Sequence, residues 1–261
     1  MNSAIFPQEA RQREPVFNLP PALAVLLVLL VAIHIAMWAI EEWGGREAYG
    51  NALAWLAFWP PRYNGMIAVP GALPGGFAAD VWTFVTYALL HGNMLHLVFN
   101  LLWMLAFGSA VAWRFGTARF LLFCAVTAAA GAGAHLLTNF QSMLPLVGAS
   151  AAISGLMAAS MRFAFEAGGP LSAFRMKGRQ AFLVPALPLF AALRNPQVLI
   201  FLAVWFALNL MFALTSVFDG GGDVAWQAHI GGFFPRPLFF PLLGPPPRPG
   251  YHRYTRRSRG F

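Results

Sequence analysis

Charge is scarce in this chain. Only 10% of its 261 residues are Asp, Glu, Lys or Arg, against 59% hydrophobic, and the mean hydropathy is +0.62. No water-soluble domain of this size can hide that much apolar surface, so the chain reads as a polytopic membrane protein whose first partner is the lipid bilayer. Cysteine is nearly absent. Cys124 stands alone in an apolar run, which excludes a disulfide within the chain and suits packing. Acid is also short, nine residues against seventeen Lys and Arg, for a net charge of +8. That surplus would suit nucleic acid, but no nucleic-acid-binding motif accompanies it, and none is expected as a partner. The basic residues crowd Arg175 to Arg194 and Arg248 to Arg259, beside apolar runs, as a cytoplasmic-loop bias would place them. A cleavable signal pattern is missing from Met1 to Pro15, so the first apolar run is expected to be an uncleaved anchor.

What is present is apolar length. Six segments stand out, at about 19–40, 93–113, 118–140, 150–165, 198–217 and 225–243. A spanning helix needs roughly 20 apolar residues, so the fourth and sixth are marginal. With a cytoplasmic N-terminus, six alternating spans leave only Arg46 and Arg62 of the 17 Lys and Arg outside. The opposite orientation violates the positive-inside rule. The expected fold is therefore an all-α, six-helix membrane bundle over 19–243. A short cytoplasmic N-terminus, 1–18, precedes it, and a basic, Pro- and Arg-rich tail, 244–261, expected to be disordered, follows. The first external loop, Glu41 to about Trp82, is long and rich in Trp, Phe, Pro and Gly. Such a loop should lie at the headgroups or pack on the bundle.

Two polar marks interrupt the apolar runs. One is His91-Gly92-Asn93-Met94-Leu95-His96, followed by Asn100. The other is Gly148-Ala149-Ser150-Ala151, followed much later by Ala228-His229-Ile230-Gly231-Gly232. Polar side chains inside membrane segments are costly and are functional suspects by default. Ser150 opens a run of only about 16 apolar residues, roughly 24 Å of helix, too short to cross about 30 Å of hydrocarbon. Residues 141–149 should then dip into the membrane as irregular backbone, which is tolerated where protein or water surrounds it. At a helix start Ser150 has its own N–H free to face a developing oxyanion, although serines also begin helices merely as caps. His229, beside two glycines that permit close helix approach, can serve as base to a serine or can simply be a packed histidine. No Asp or Glu lies within the spans to orient it, so a Ser–His dyad is expected rather than a triad. His96 and Asn100, four apart, share a helix face and offer N–H donors for an oxyanion hole, or for an interhelical hydrogen bond. His91 should precede or support that helix. A zinc site from His91, His96 and His229 is the rival chemistry, but i,i+5 spacing fits a helical metal motif poorly, and no metal or cofactor is expected.

The order and spacing of His91, His96, Asn100, Gly148-x-Ser150 and Ala228-His229-x-x-Gly232 resemble the rhomboid family of intramembrane serine proteases. The resemblance covers about Val81 to Gly232, with the preceding span and loop. It implies a six-helix bundle carrying a Ser–His dyad in a water-filled cavity. Ser150 would be the nucleophile and His229 the base, with His96, Asn100 and the Ser150 N–H at the oxyanion and His91 and Gly148 in support. It implies transmembrane proteins as substrates and a place in the bacterial inner (plasma) membrane. A catalytically inactive, client-binding relative is the alternative, and a transporter is disfavoured because no inverted repeat is visible. The chain also departs from the family pattern. Ala151 stands where Gly is frequent, and Ser154 where a tyrosine commonly stacks on the histidine. Thr83 stands in a Trp-Arg pair, and Ala112 replaces a common Glu. After Gly232 the chain reads Phe233-Phe234-Pro235-Arg236-Pro237, which should break the last helix, and from there to Phe261 it is Pro- and Arg-rich, as a reading-frame shift in a GC-rich gene would make it.

Overall fold

A computed structural model describes residues 19–65, 73–176, 178–219 and 225–234. Among them the chain is almost wholly helical, and its only β-type pairing is an isolated bridge between Phe58 and Leu146. Helix α1, Pro21–Leu56, starts with proline in its first turn, where the missing N–H costs nothing. Gly45, at φ 77°, breaks it. An unbroken helix of that length would reach roughly 54 Å, far beyond the hydrocarbon, so the break separates a spanning arm from a second arm.

That second arm is the first surprise in the expected loop. The segment from Glu41 onward contains ordered helix: the end of α1, the short α2 (Pro61–Asn64) and α3 (Gly76–Thr86), leading into a 3₁₀ turn, Tyr87–Leu89. Its aromatic residues pack instead of dangling. Trp55 and Trp82 stack at 5.9 Å, and the Trp82 Nε1–H donates to the Trp55 carbonyl. Phe58 is fully buried against Tyr63, Phe84 and Tyr87. Arg62, one of the two cations expected outside, is folded inward. It donates to the Ala54 and Pro74 carbonyls and pairs with Asp80 at 3.5 Å. Tyr63 donates to the Asp80 carbonyl, and burial raises its hydroxyl above the ordinary pKa.

The second expected span is one apolar rod, Met94–Phe115, built from α4 (Met94–Trp103), a π turn (Met104–Gly108) and α5 (Ser109–Phe115). Gly116, at φ 76°, ends it and starts α6, Thr117–Thr138. These two and α1 are the three helices long and apolar enough to cross a membrane among the described residues. Helix α7, Ser150–Ser160, is shorter than the expected 150–165, because the chain leaves the helix in turns after Ser160. Its residues Ala151 to Ser160 are all buried, so it is the centre of the bundle. Around it pack Leu23 and Leu30 of α1, Met104, Val111, Phe120 and Phe123. After a 3₁₀ turn (Gly178–Leu183) and α8 (Leu189–Ala192) come α9, Pro196–Asp219, and α10, Trp226–Phe233. The expected last span, 225–243, is described only as far as Phe234. The prolines at 235 and 237, the suspected frame shift and the tail 244–261 lie outside the described residues, as does the N-terminal segment 1–18.

Small residues let α10 sit against both α6 and α7. A Cβ on Gly131 would meet the Ala151 Cβ at 2.5 Å and the Ala228 carbonyl oxygen at 2.8 Å, and one on Gly232 would collide with the Ala151 carbonyl. Without a hydrophobic drive between helices in lipid, such close backbone contact is what holds helices together.

Candidate active site

The start of α7 is set by Gly148. Its φ of 117° is one that L side chains rarely adopt, and a Cβ there would lie 2.7 Å from the His96 Cε1 and Nε2 atoms. Glycine is thus required twice, for the turn and for the imidazole that covers it. The Gly148 N–H donates to the Tyr87 carbonyl at 3.0 Å, and the buried Tyr87 hydroxyl donates to the Ala128 carbonyl of α6 at 2.8 Å. The strand-like pairing of Phe58 with Leu146 ties down the same entry segment. Residues 141–149 are thus irregular backbone, with Leu146 bonded to Phe58 and Gly148 to Tyr87.

Ser150 is the first residue of α7, and the cap position belongs to Ala149, which makes no side-chain cap bond. The capping role open to Ser150 from sequence is therefore not the one it takes. Its hydroxyl is on the His96 side, 3.7 Å from where a Gly148 Cβ would be. Ser154, where the family pattern often has a tyrosine, is buried and donates to the Ser150 carbonyl at 2.8 Å.

His96 reaches this point because α4 begins where it does. Asn93, in extended conformation, caps α4 by accepting from the His96 N–H at 2.8 Å. One turn on, Asn100 is buried and donates through Nδ2 to the His96 carbonyl at 2.8 Å. An amide nitrogen carries two N–H groups, so one donor is used and one remains. His91 lies just before the helix, buried, its ring 5.2 Å from the His96 ring and roughly perpendicular to it. Burial, then the neighbouring His96 and His34, push the His91 imidazole down to about 3. His91 thus packs on His96 as a neutral ring.

His229 is half-buried on α10, the helix clamped between α6 and α7. Among the described contacts no hydrogen bond joins it to Ser150. Its Nδ1 instead hydrogen-bonds the Asn209 Oδ1 of α9. Asn209 is an amide and not the carboxylate expected of a residue that orients a base. The available signal was a lone amide inside the apolar run 198–217. No group of three or more His, Cys, Asp or Glu among the described residues is placed to hold a metal ion, so the His91, His96 and His229 zinc reading has no geometry behind it.

An apolar helical bundle with a serine at the buried start of a short central helix, imidazoles on two flanking helices and amides beside each defines an integral membrane protein with a polar site inside it. The rhomboid-domain profile matches residues 78–235, and this chain belongs to the rhomboid family. Among curated proteins it is 29% identical over 108 residues to Rhomboid protease GlpG of Yersinia enterocolitica, covering 41% of this chain and 32% of that one. It is 32% identical over 103 residues to the protein of the same name from an Enterobacter species, covering 39% and 31%, and 30% identical over 108 residues to that of Yersinia pestis, covering 41% and 32%. The matched part spans about a third of the length of these relatives.

Proposed function

We propose that this chain is an intramembrane serine endopeptidase that hydrolyses peptide bonds in or near transmembrane segments of other membrane proteins. The observation that carries the reading is the convergence of the Gly148 turn, the His96 ring and the Ser150 hydroxyl at the N-terminus of a buried helix. That helix end aims unpaired N–H groups and a positive dipole at one point. The curated relatives, named as rhomboid proteases, support it.

In this reading the Ser150 Oγ attacks the scissile carbonyl carbon while its proton passes to the His229 Nε2. The tetrahedral oxyanion is held by the Ser150 N–H, the His96 ring N–H and the free Asn100 N–H. His229 returns the proton to the leaving amine, and water, activated by the same base, cleaves the acyl-enzyme. No cofactor takes part. In the same reading the chain lies in the bacterial inner membrane with six spans and a cytoplasmic N-terminus, which reporter fusions in the loops would test.

A catalytically inactive, client-binding relative is the second reading, and the lack of a direct Ser150–His229 bond favours it. Catalytic hydrogen bonds are often long without substrate and tighten on binding, so that lack does not outweigh the presence of both residues. A fluorophosphonate probe applied to membranes, with the modified residue mapped, decides. Label on Ser150, lost in His229→Ala, supports the enzyme. No label on a folded chain supports the binder.

A further inference from the structure

Asn209 sits at a position where its amide has only one chemically sensible orientation. Its Nδ2 donates to the Trp205 carbonyl, one helical turn back, at 2.8 Å. Reversing the amide would set oxygen against oxygen, so the Oδ1 must be the atom that faces α10. What it meets there is the His229 Nδ1. An amide oxygen only accepts, so the Nδ1 must carry the proton. In the neutral ring that leaves the Nε2 as the lone-pair nitrogen, the form a base needs.

The contact is built into the packing of two helices. Trp205 and Phe233 stack at 5.3 Å with 24° between their planes, one turn away from Asn209 on α9 and from His229 on α10. The pairs 205 with 233 and 209 with 229 are thus two rungs of one antiparallel seam, each spaced i,i+4. Asn209 is 8% exposed, so water does not compete strongly for its oxygen. An unpaired amide this deep would be costly, and both of its polar ends are satisfied by this arrangement alone.

We infer that Asn209 is a positioning residue, which holds His229 through Nδ1 in the tautomer and orientation that make it a base towards Ser150. This rests on the Ser150–His229 reading above and adds Asn209 to the expected dyad as the group that orients its histidine. Asn209 touches no reacting atom. Its effect runs through the imidazole, as an orienting group's does in other serine hydrolases.

The test uses the purified full chain in detergent and the rate at which a fluorophosphonate modifies Ser150. Asn209→Ala should slow labelling by roughly tenfold to a hundredfold, the scale on which a histidine's outer hydrogen-bond partner acts at other sites. Phe233→Leu, which loosens the other rung of the seam, should change it less than about threefold at an equal or larger loss of melting temperature. Asn209→Asp keeps the acceptor towards His229, gives up the bond to the Trp205 carbonyl and adds negative charge, which favours the imidazolium, so the acid limb of the labelling rate should move to higher pH. A purely structural amide would not move that limb. Equal slowing in Phe233→Leu and Asn209→Ala, an unmoved limb in a folded Asn209→Asp, or loss of fold in both Asn209 variants would each overturn the proposal. Ser150→Ala and His229→Ala run alongside. If Ser150→Ala still labels at its own position's neighbours or His229→Ala labels normally, the protease reading itself fails. If those two are silent and Asn209→Ala labels normally, only the role of Asn209 falls.

Discussion

The two sides of the proposed site, Ser150 and His229, are held by different means. Helix α7 is buried along all of Ala151 to Ser160, and the Gly148 turn before it is bonded to Tyr87, which is bonded to α6. Position there comes from backbone packed on backbone. Helix α9 lies at the margin, with Ile200 65% and Leu210 60% exposed, surfaces that suit lipid. It reaches the site through side chains, Trp205 on Phe233 and Asn209 on His229. Backbone packing resists substitution of small residues by large ones, whereas a side-chain seam fails one residue at a time. The difference predicts where the protein is brittle and where it can be tuned.

The largest effect should come from the reacting pair. Ser150→Ala and His229→Ala should each abolish cleavage of a model transmembrane substrate; Ser150→Ala should leave the melting temperature nearly unchanged, whereas His229→Ala, which unpairs the buried Asn209 oxygen, should lower it. Residues that act as a unit are not additive, so the double variant should be no slower than either single one. Multiplicative losses would show that the two sides work independently.

Next is the turn that joins both. Gly148→Ala forces a side chain into a left-handed backbone conformation, at about 1–2 kcal/mol, and into the His96 ring. Turnover should fall by at least the ~10²-fold that loss of one oxyanion donor causes, with a measurable drop in melting temperature. Wild-type turnover would mean that His96 is free to move aside and is no part of the oxyanion site.

Asn100→Ala should be milder. Removing one oxyanion donor costs about 10²–10³ in rate, and with His96 and the Ser150 N–H still in place the smaller end is expected. KM should hardly change, because these donors address charge that develops only in the transition state. A raised KM at constant kcat would reassign Asn100 to substrate binding or structure.

The smallest effect concerns stability alone. His91 is held neutral in the fold, with its pKa about 3 against an ordinary value near 6.5. Its contribution is present above about pH 6.5, where the unfolded chain is neutral too. It declines as pH falls below that, since the unfolded state then takes up a proton that the folded state refuses until about pH 3. The melting temperature of the wild type should therefore fall between pH 6.5 and 4 more steeply than that of His91→Gln. Parallel curves would show that His91 protonates within the fold without strain.

Much of this protein follows from its sequence alone. Apolar runs long enough to span and scarce charge point to a helical membrane protein, because in lipid every backbone group must be bonded and a single apolar run can do that within itself only as a helix. Local rules also place Ser150 at a helix start and put His96 and Asn100 on one face of α4. Other features were decided only by the tertiary structure. The expected first loop became helix and latch because Arg62 found Asp80 and the Ala54 and Pro74 carbonyls, contacts that no local pattern encodes. Helix α7 stopped at Ser160 although the apolar run went on. Asn209 was invisible as a partner of His229, since an amide in one apolar run and an imidazole 20 residues later share no period. Composition says that a polar group inside a membrane must be satisfied. Which group satisfies it depends on the register of α9 against α10, and that is set by packing between helices rather than by either helix alone.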